Sequence, residues 1–297
     1  MEYKRIDSFD KKENTFCYIE TLQEYSDIFK LGEKAIITRG SGLSYCNASF
    51  AKDSTSINMP GFNRILNFDN INGRITLECG VTAGEVNNFL HFKEWMLPVL
   101  PGYPSITIGG CIAFNVHGKG QYKTGNFIDW VEEFVLYHPA HKQIICSRTL
   151  NEEIFNLTVG GMGFTGIILN VTLRLMKAEG NMLEIRKVKA SNLFDAVSLM
   201  KEHSETWDYV YSWNDFNLKD DSFGRGIVYA AKYHSGNSKV KIEKYQNRLS
   251  KPPKFPNLYN GFTTRLMCNG FYFLETFKSS SSLTNQYNAA FPIYGKE

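Results

Sequence analysis

Three stretches of this chain set glycine beside hydroxyl, imidazole or ammonium side chains: RGSGLSY (Arg39–Tyr45), GYPSITIGGCIAFNVHGKG (Gly102–Gly120) and GGMGFTG (Gly160–Gly166). Glycine inside an extended apolar run loses entropy and packs nothing. It is best accounted for where another molecule must press against the backbone. The turn Arg39–Tyr45 offers successive backbone N–H groups and hydroxyls, a nest suited to the diphosphate of a nucleotide cofactor. Gly102–Gly120 reads as a second strip of bare, strand-like backbone carrying Thr107 and His117, and Gly160–Gly166 as a third. One extended ligand touching all three would have the length of a dinucleotide.

Two simpler phosphate sites are excluded by order and spacing. Gly161, Gly163 and Gly166 satisfy G-x-G-x-x-G, but a Rossmann site needs a strand before the glycines and a helix after them. Here a helix (EEIFNLTV) precedes and a strand (TGIILNVTLRLM) follows. HGKG lacks the upstream glycine spacing and the Ser or Thr after Lys119 that a P-loop requires.

The elements that must position these turns follow from periodicity. TLQEYSDIFKLG reads as a helix capped by Thr21 and stopped by Gly32, and TAGEVNNFLHFKEW as a helix with Val86 and Leu90 inward. KAIITRG, RILNFD, GRITLECG, FVLYHP and KQIICS read as strands. After Lys177 the pattern starts afresh with MLEIRKVKA, a helix over NLFDAVSLMKEHSE, and strands around YVYSWND and GRGIVYAAKY. A boundary near Ala178–Asn181 therefore divides residues 1–178 from 179–297. SKPPKFPN and SSSSLTNQ read as loops by composition.

The 297 residues carry 43% hydrophobic composition, enough for real cores, and a net charge of +3. That balance gives no nucleic-acid footprint, and Lys239–Lys244, which includes Glu243, reads as a solvated helix face. Six scattered cysteines without a C-x-x-C pair argue against a zinc ribbon or a disulfide framework. The charged N-terminus and the absence of a long apolar run lead to an expectation of a cytoplasmic chain with no transmembrane segment, peripheral attachment to a membrane remaining open.

The ordered set ITRGSGLSY, CGVTAGEV, PVLPGYPSITIGGCIAFNVHGKG, FNLTVGGMGFTGIILNVTLRL and YSWNDF…GRGIVY resembles the vanillyl-alcohol-oxidase and p-cresol-methylhydroxylase type of FAD-binding flavoprotein. Within that group it is most similar to the FAD oxidase subunits of decaprenylphosphoryl-β-D-ribose 2′-epimerase. The motifs cover most of Ala35–Ala230. The resemblance implies an α+β architecture: a two-subdomain FAD-binding fold over 1–178, then an α+β substrate (cap) domain over 179–297. It also implies a longer cap domain with a late lysine-bearing segment, for which the end of this chain, NQYNAAFPIYGKE, offers no counterpart; the chain is expected to be a fragment or a shortened paralogue.

Carried over residue by residue, the resemblance puts Arg39, Gly40, Ser41, Gly42, Leu43, Ser44 and Tyr45 on the FAD pyrophosphate. Gly102, Thr107, Gly109, Gly110, Ala113, Val116, His117 and Gly118 would line the flavin side, with Gly163 and Ile167 at the adenosine part. Leu43 stands where covalent relatives carry histidine, so the FAD is expected to be non-covalent. The implied reaction oxidises a secondary alcohol of a sugar-like substrate, a lipid-linked ribose in the 2′-epimerase type, by hydride transfer to flavin. His117, Lys119 and Tyr45 are its catalytic candidates and Trp213 a substrate contact, with a separate NAD(P)-dependent reductase as partner. An alditol or aldonolactone-type oxidase, and a non-catalytic FAD-binding remnant, are the alternatives. His138 and His141 read as surface residues of a hairpin rather than metal ligands, and Cys46 and Cys111 as small apolar fillers.

Overall fold

The computed structural model describes residues 1–30, 36–91, 93–180, 182–234, 260–277, 280–285 and 289. Gly32, Asn181, Lys239–Lys244 and the SKPPKFPN stretch lie outside them. The chain divides into two compact units: residues 1–118 with 124–177, and residues 119–123 with 178–297.

The first unit holds two main sheets. Strands β1 (Glu2–Asp7), β2 (Asn14–Thr21), β3 (Ile36–Arg39) and β4 (Thr55–Asn58) form a sheet in the order β1-β2-β4-β3. β1 runs antiparallel to β2, whereas β4 lies parallel to both β2 and β3. Helix α1 (Tyr25–Phe29) follows β2. Thr21 is the last residue of β2 rather than a helix cap, and Glu24 stands at the N-cap. Pairing of Thr21 with Asn58 of β4 takes that residue into the ladder and delays the helix by a turn.

The second sheet contains β5 (Ile65–Asp69), β6 (Arg74–Glu78), β8 (Val131–His138), β9 (Lys142–Ser147) and β10 (Ile167–Arg174), in the antiparallel order β5-β6-β10-β8-β9. Two-residue strands β7 (Trp95–Met96) and β11 (Met176–Lys177) pair beside it. His138 and His141 sit at the β8–β9 hairpin as expected. Helix α2 (Ala83–Leu90) starts at a full capping box between Thr82 and Glu85, and Val86 and Leu90 are buried. Ile57 of the first sheet meets Tyr137 and Leu169 of the second in one core cluster with Ile28, Met59 and Phe62.

The stretch read as strand-like around Gly109–Gly110 is a helix, α3 (Ile108–Ala113). Thr107 caps it, its hydroxyl accepting from the Gly110 N–H at 3.2 Å. Ile108, Cys111 and Ile112 are fully buried, the i, i+3, i+4 spacing of one helical face, so the helical period outweighs the apparent alternation. A further short helix, α5 (Glu152–Thr158), completes the unit, and α4 (Gln121–Thr124) has its first three residues in the second unit.

The second unit is a four-stranded antiparallel sheet, β13-β14-β12-β15, built from β12 (Met182–Ala190), β13 (Tyr209–Asn214), β14 (Gly226–Tyr233) and β15 (Ser281–Asn285). Helix α6 (Leu193–Ser204), capped by Asn192, covers the sheet face that presents Val210, Val228 and Ala230. SSSSLTNQ was expected to be a loop; its Ser281–Asn285 portion is strand β15, because the free edge of β12 supplies the ladder that its composition does not signal. Helix α7 (Gly261–Phe277) has no counterpart among the sequence expectations.

Candidate functional site

A cavity of about 600 Å³, built wholly from the first unit, lies where the three glycine stretches converge. Its first wall is the turn leaving β3. Gly40, Ser41, Gly42, Leu43, Ser44 and Tyr45 all line it. Gly42 adopts φ +72°, and an added Cβ would meet the Arg39 guanidinium. Among the described residues, the backbone N–H groups of Ser41, Gly42, Leu43 and Ser44 donate to no protein group. Four adjacent amides aimed at no internal acceptor form the kind of anion nest expected of this turn.

Helix α3 is the second wall. Thr107, Gly109, Gly110 and Ala113 face the cavity, followed by Val116 and His117. This segment is pinned to the CGVTAGEV stretch: Ile108 N–H donates to Val81 O at 2.8 Å, Gly109 N–H to Cys79 O at 2.8 Å and Ala83 N–H to Ile106 O at 2.9 Å. A Cβ at Gly109 would stand 3.0 Å from Cys79 Cβ, which explains a glycine in the wall of this short helix.

The third stretch docks on the end of α3, where Gly160 N–H donates to Ile112 O at 3.0 Å and Met162 N–H to Ala113 O at 2.9 Å. Those bonds tie the glycine stretch to carbonyls at the end of α3, and Met162, Gly163 and Gly166 line the cavity. The helix–glycine–strand order that argued against a Rossmann site is the order observed.

Four of the sequence-derived candidates in this unit do not line the cavity. Arg39 turns under the turn, its guanidinium donating to Ser49 Oγ at 2.6 Å beside the Phe50 ring, and burial lowers its pKa. Gly118 packs against the Leu100 backbone, and Gly102 has open space around it. Ile167 belongs to the core cluster, whereas Ile168 lines the cavity. One position along a strand exchanges the two faces.

Other lining residues went unread: Thr38, Cys46, Ala48, Ser49, Met59, Cys79, Ile106 and Phe114 among them. The hydrogen bonds from CGVTAGEV account for Cys79 and Ile106, but nothing local marks Met59. Cys46 is exposed, with its sulfur 3.2 Å from Ser44 Oγ, whereas Cys111 is fully buried and burial pushes its thiol pKa up. Tyr45, Phe114 and Met162 leave 68%, 41% and 43% of their surface exposed, an apolar set among residues that line the cavity. His117 is exposed and bridges to Asn126.

Lys119 and Trp213 belong to the second unit. Lys119 Nζ stands 4.6 Å from the centre of the Tyr211 ring and donates to Ala289 O at 3.0 Å. Burial lowers its pKa to about 8. Tyr211 in turn stacks on Tyr229 at 4.9 Å, and burial followed by the Glu275 charge raises its pKa to about 12. The Trp213 ring lies 4.7 Å from Phe271.

The residues present fit a dinucleotide: a free-amide turn for phosphate, glycine walls that any Cβ would narrow, and apolar Met59, Ile106, Val116 and Ile168 for a ring system. Among the described residues no cluster of three or more His, Cys, Asp or Glu could hold a metal, and no helix is long and apolar enough to cross a membrane.

Residues 16–147 match the FAD binding domain family. The decaprenylphosphoryl-β-D-ribose oxidase of Mycolicibacterium smegmatis is 28% identical over 226 residues, 75% of this chain and 47% of that protein. The D-arabinono-1,4-lactone oxidase of Candida glabrata is 23% identical, covering 65% of this chain and 38% of its own length. The L-gulonolactone oxidase of Scyliorhinus torazame is 26% identical, covering 54% and 36%. The chain thus spans less than half the length of these relatives. An alkyldihydroxyacetonephosphate synthase shares the fold, with a TM-score of 0.61 at 15% identity over 72% of this chain and 46% of that one. The resemblance to FAD-binding flavoproteins of the p-cresol-methylhydroxylase type, and the mixed helix-and-sheet architecture it implied, are borne out.

Proposed function

We propose, taking the FAD binding domain over residues 16–147 as the premise, that this chain holds FAD non-covalently in the first-unit cavity and serves the oxidation of a secondary alcohol on a sugar-like substrate. The observation that carries the reading is the run of unpaired amides at Ser41–Ser44 facing the glycines of α3 across one cavity. Bound FAD would supply a hydride acceptor. Leu43, an alkane side chain in the phosphate turn, can form no bond to a flavin. Residues 1–178 would be the FAD-binding part and 179–297 the substrate part, with Lys119–Lys123 grouped with the latter.

The chain's own residues would do the rest. Ser41–Ser44, Gly109, Gly110 and Gly163 would hold the cofactor, and Arg39 would brace the turn from beneath. His117, which lines the cavity and stays exposed, would take the hydroxyl proton. Lys119, with a pKa lowered to about 8, would provide a neutral amine at mildly alkaline pH. Tyr45 would close over the ligand, and Trp213 would contact the sugar.

Among substrates we favour a lipid-linked ribose, since the decaprenylphosphoryl-β-D-ribose oxidase matches over three quarters of the chain. Its keto product would go to a separate NAD(P)-dependent reductase, and the chain would work in the cytoplasm, attached peripherally to a membrane. A second reading, an aldonolactone oxidase, is favoured by the lactone-oxidase relatives. The test is the visible spectrum of the purified chain before and after acid precipitation, then anaerobic mixing with a ribosyl-phosphate lipid or an aldonolactone. Flavin released to the supernatant and bleached by the ribosyl lipid is expected. Flavin kept in the pellet refutes the non-covalent assignment, bleaching by the lactone alone favours the second reading, and failure to take up FAD overturns the proposal.

A further inference from the structure

The hairpin between β1 and β2 reaches the far end of the phosphate turn. Its own frame is short-range: Ser8 N–H donates to Glu13 O at 2.8 Å and Lys11 N–H to Ser8 O at 3.0 Å. The Ser8 hydroxyl, buried, donates to Asp10 Oδ1 at 2.7 Å and accepts from Glu13 N–H at 3.1 Å. These bonds close residues 8–13 on themselves, so the hairpin needs no help from the cavity wall to keep its shape.

Phe9 joins that hairpin to two of the glycine-bearing stretches. Its N–H donates to Ser44 O at 2.9 Å. Its ring stands edge-on to Tyr45, with centroids 5.5 Å apart at 86°, and to Tyr103, 5.8 Å apart at 75°. Edge-to-face is a favoured arrangement of aromatic pairs and adds stability beyond the area covered. Phe9 does not line the cavity, whereas Ser44 and Tyr45 do. It also lies outside residues 16–147, the part that matches the FAD binding domain family.

What this contact controls is the direction of a peptide. In a trans peptide the carbonyl of one residue and the N–H of the next point to opposite sides. Fixing Ser44 O on the hairpin therefore turns the Tyr45 N–H away from it. Among the described residues that amide donates to no protein group, like the four before it. The turn is thus braced at both ends, Gly40 against Thr107 and Ser44–Tyr45 against Phe9, with its unpaired amides between. Successive N–H groups make an anion nest only while their directions converge, and the second brace fixes the last of them.

We propose that Phe9 is a positioning residue for the cofactor site, holding the Ser44–Tyr45 peptide so that the amides of the turn converge on the FAD diphosphate. The inference rests on the FAD reading above, and the test separates the two. FAD affinity is measured by titrating the flavin-free full chain, and protection of the residue-9 amide by hydrogen exchange without flavin. Phe9→Ala should raise the FAD Kd by about tenfold, the size of change that edge-to-face ring contacts supply. In the flavin-free protein the same variant should exchange its residue-9 amide more than about tenfold faster, while the amides of Ser8 and Lys11 keep their protection. Phe9→Tyr, which keeps the ring, should restore both. Tyr103→Leu, which alters no residue lining the cavity, repeats the test should Phe9→Ala fold poorly, and should weaken FAD in the same direction. Faster exchange at Ser8 and Lys11 as well as residue 9 would mean general loosening and overturns the proposal. FAD held equally by the parent and Phe9→Ala, or unchanged exchange at residue 9, overturns the positioning role and leaves the FAD reading standing. A parent chain that takes up no FAD overturns the FAD reading, and with it the ligand named here, even where residue 9 loses protection in the variant.

Discussion

Replacing Gly40 by Ala tests whether the phosphate turn and α3 are locked together through one hydroxyl. A Cβ at Gly40 would stand 2.4 Å from Thr107 Oγ1 and 3.4 Å from Thr107 Cβ. Thr107 is only 2% exposed, and its hydroxyl accepts from Gly110 N–H, so the side chain cannot swing away without giving up the helix cap. Overpacking of this kind costs about 1–3 kcal/mol, and the cap about 1 kcal/mol. Gly40→Ala alone should therefore destabilise by about 2–3 kcal/mol, and Thr107→Ala alone by about 1 kcal/mol. In the double variant the offending oxygen is gone and the remaining contact is ordinary. The pair should then cost little more than Thr107→Ala, a coupling of about 2 kcal/mol in the cycle, or a Tm difference of about 4–8 °C. Thermal unfolding of the four proteins measures this, with FAD retention as a second readout. If Gly40→Ala costs as much in the Thr107→Ala background as in the parent, the two elements are not coupled through this contact and the reasoning fails.

Burial depresses Lys119 below the ordinary lysine value of about 10.4. The folded state therefore binds fewer protons than the unfolded between pH of about 8 and 10, so stability should rise with pH across that window. Denaturant titrations of Lys119→Met should lose that slope, and unchanged slopes would refute the assignment. His117→Ala should slow anaerobic reduction of the flavin that is bound by about 10²–10⁴-fold, stopped-flow absorbance being the measurement. Glu78 is buried; desolvation acts to raise its pKa, but the Arg64 N–H at 2.8 Å and the guanidinium at 2.7 Å more than offset this and hold it low. Its contribution is present above the ordinary carboxylate range and is lost as pH falls through the lowered value, so Glu78→Gln should cost about 1–3 kcal/mol at neutral pH and progressively less on acidification. Parallel acid-unfolding curves for the two proteins would contradict this.

Local chemistry made much of the first unit legible. Thr82 and Glu85 mark the start of α2 because a capping box closes within four residues. The turn Arg39–Tyr45 declares itself because glycines and hydroxyls in that density have few other uses. These are events within one or two turns of chain, where the interacting groups are also sequence neighbours.

What remained hidden depended on partners far along the chain. Ser281–Asn285 becomes a strand only because the edge of β12, about a hundred residues earlier, supplies its hydrogen bonds. Arg39 turns beneath its own loop because Ser49 and Phe50 give it an acceptor and a ring there, and Ile168 rather than Ile167 reaches the cavity because the core claims the other face. Burial lowers Lys119 to about 8, beside the Tyr211 ring and the Ala289 carbonyl, both far along the chain. The apolar residues of α7 could be counted in the sequence, but not their direction: Phe271 packs against Trp213 and Glu275 pairs with Lys187, whereas Phe262, Phe273 and Phe277 stay exposed. The sequence by itself determined the glycine turns and the capped start of α2, since caps and glycines act at short range, but not the helices α3 and α7; the tertiary structure decided those and which face each element shows, since that is set by whatever distant residue arrives to pack against it.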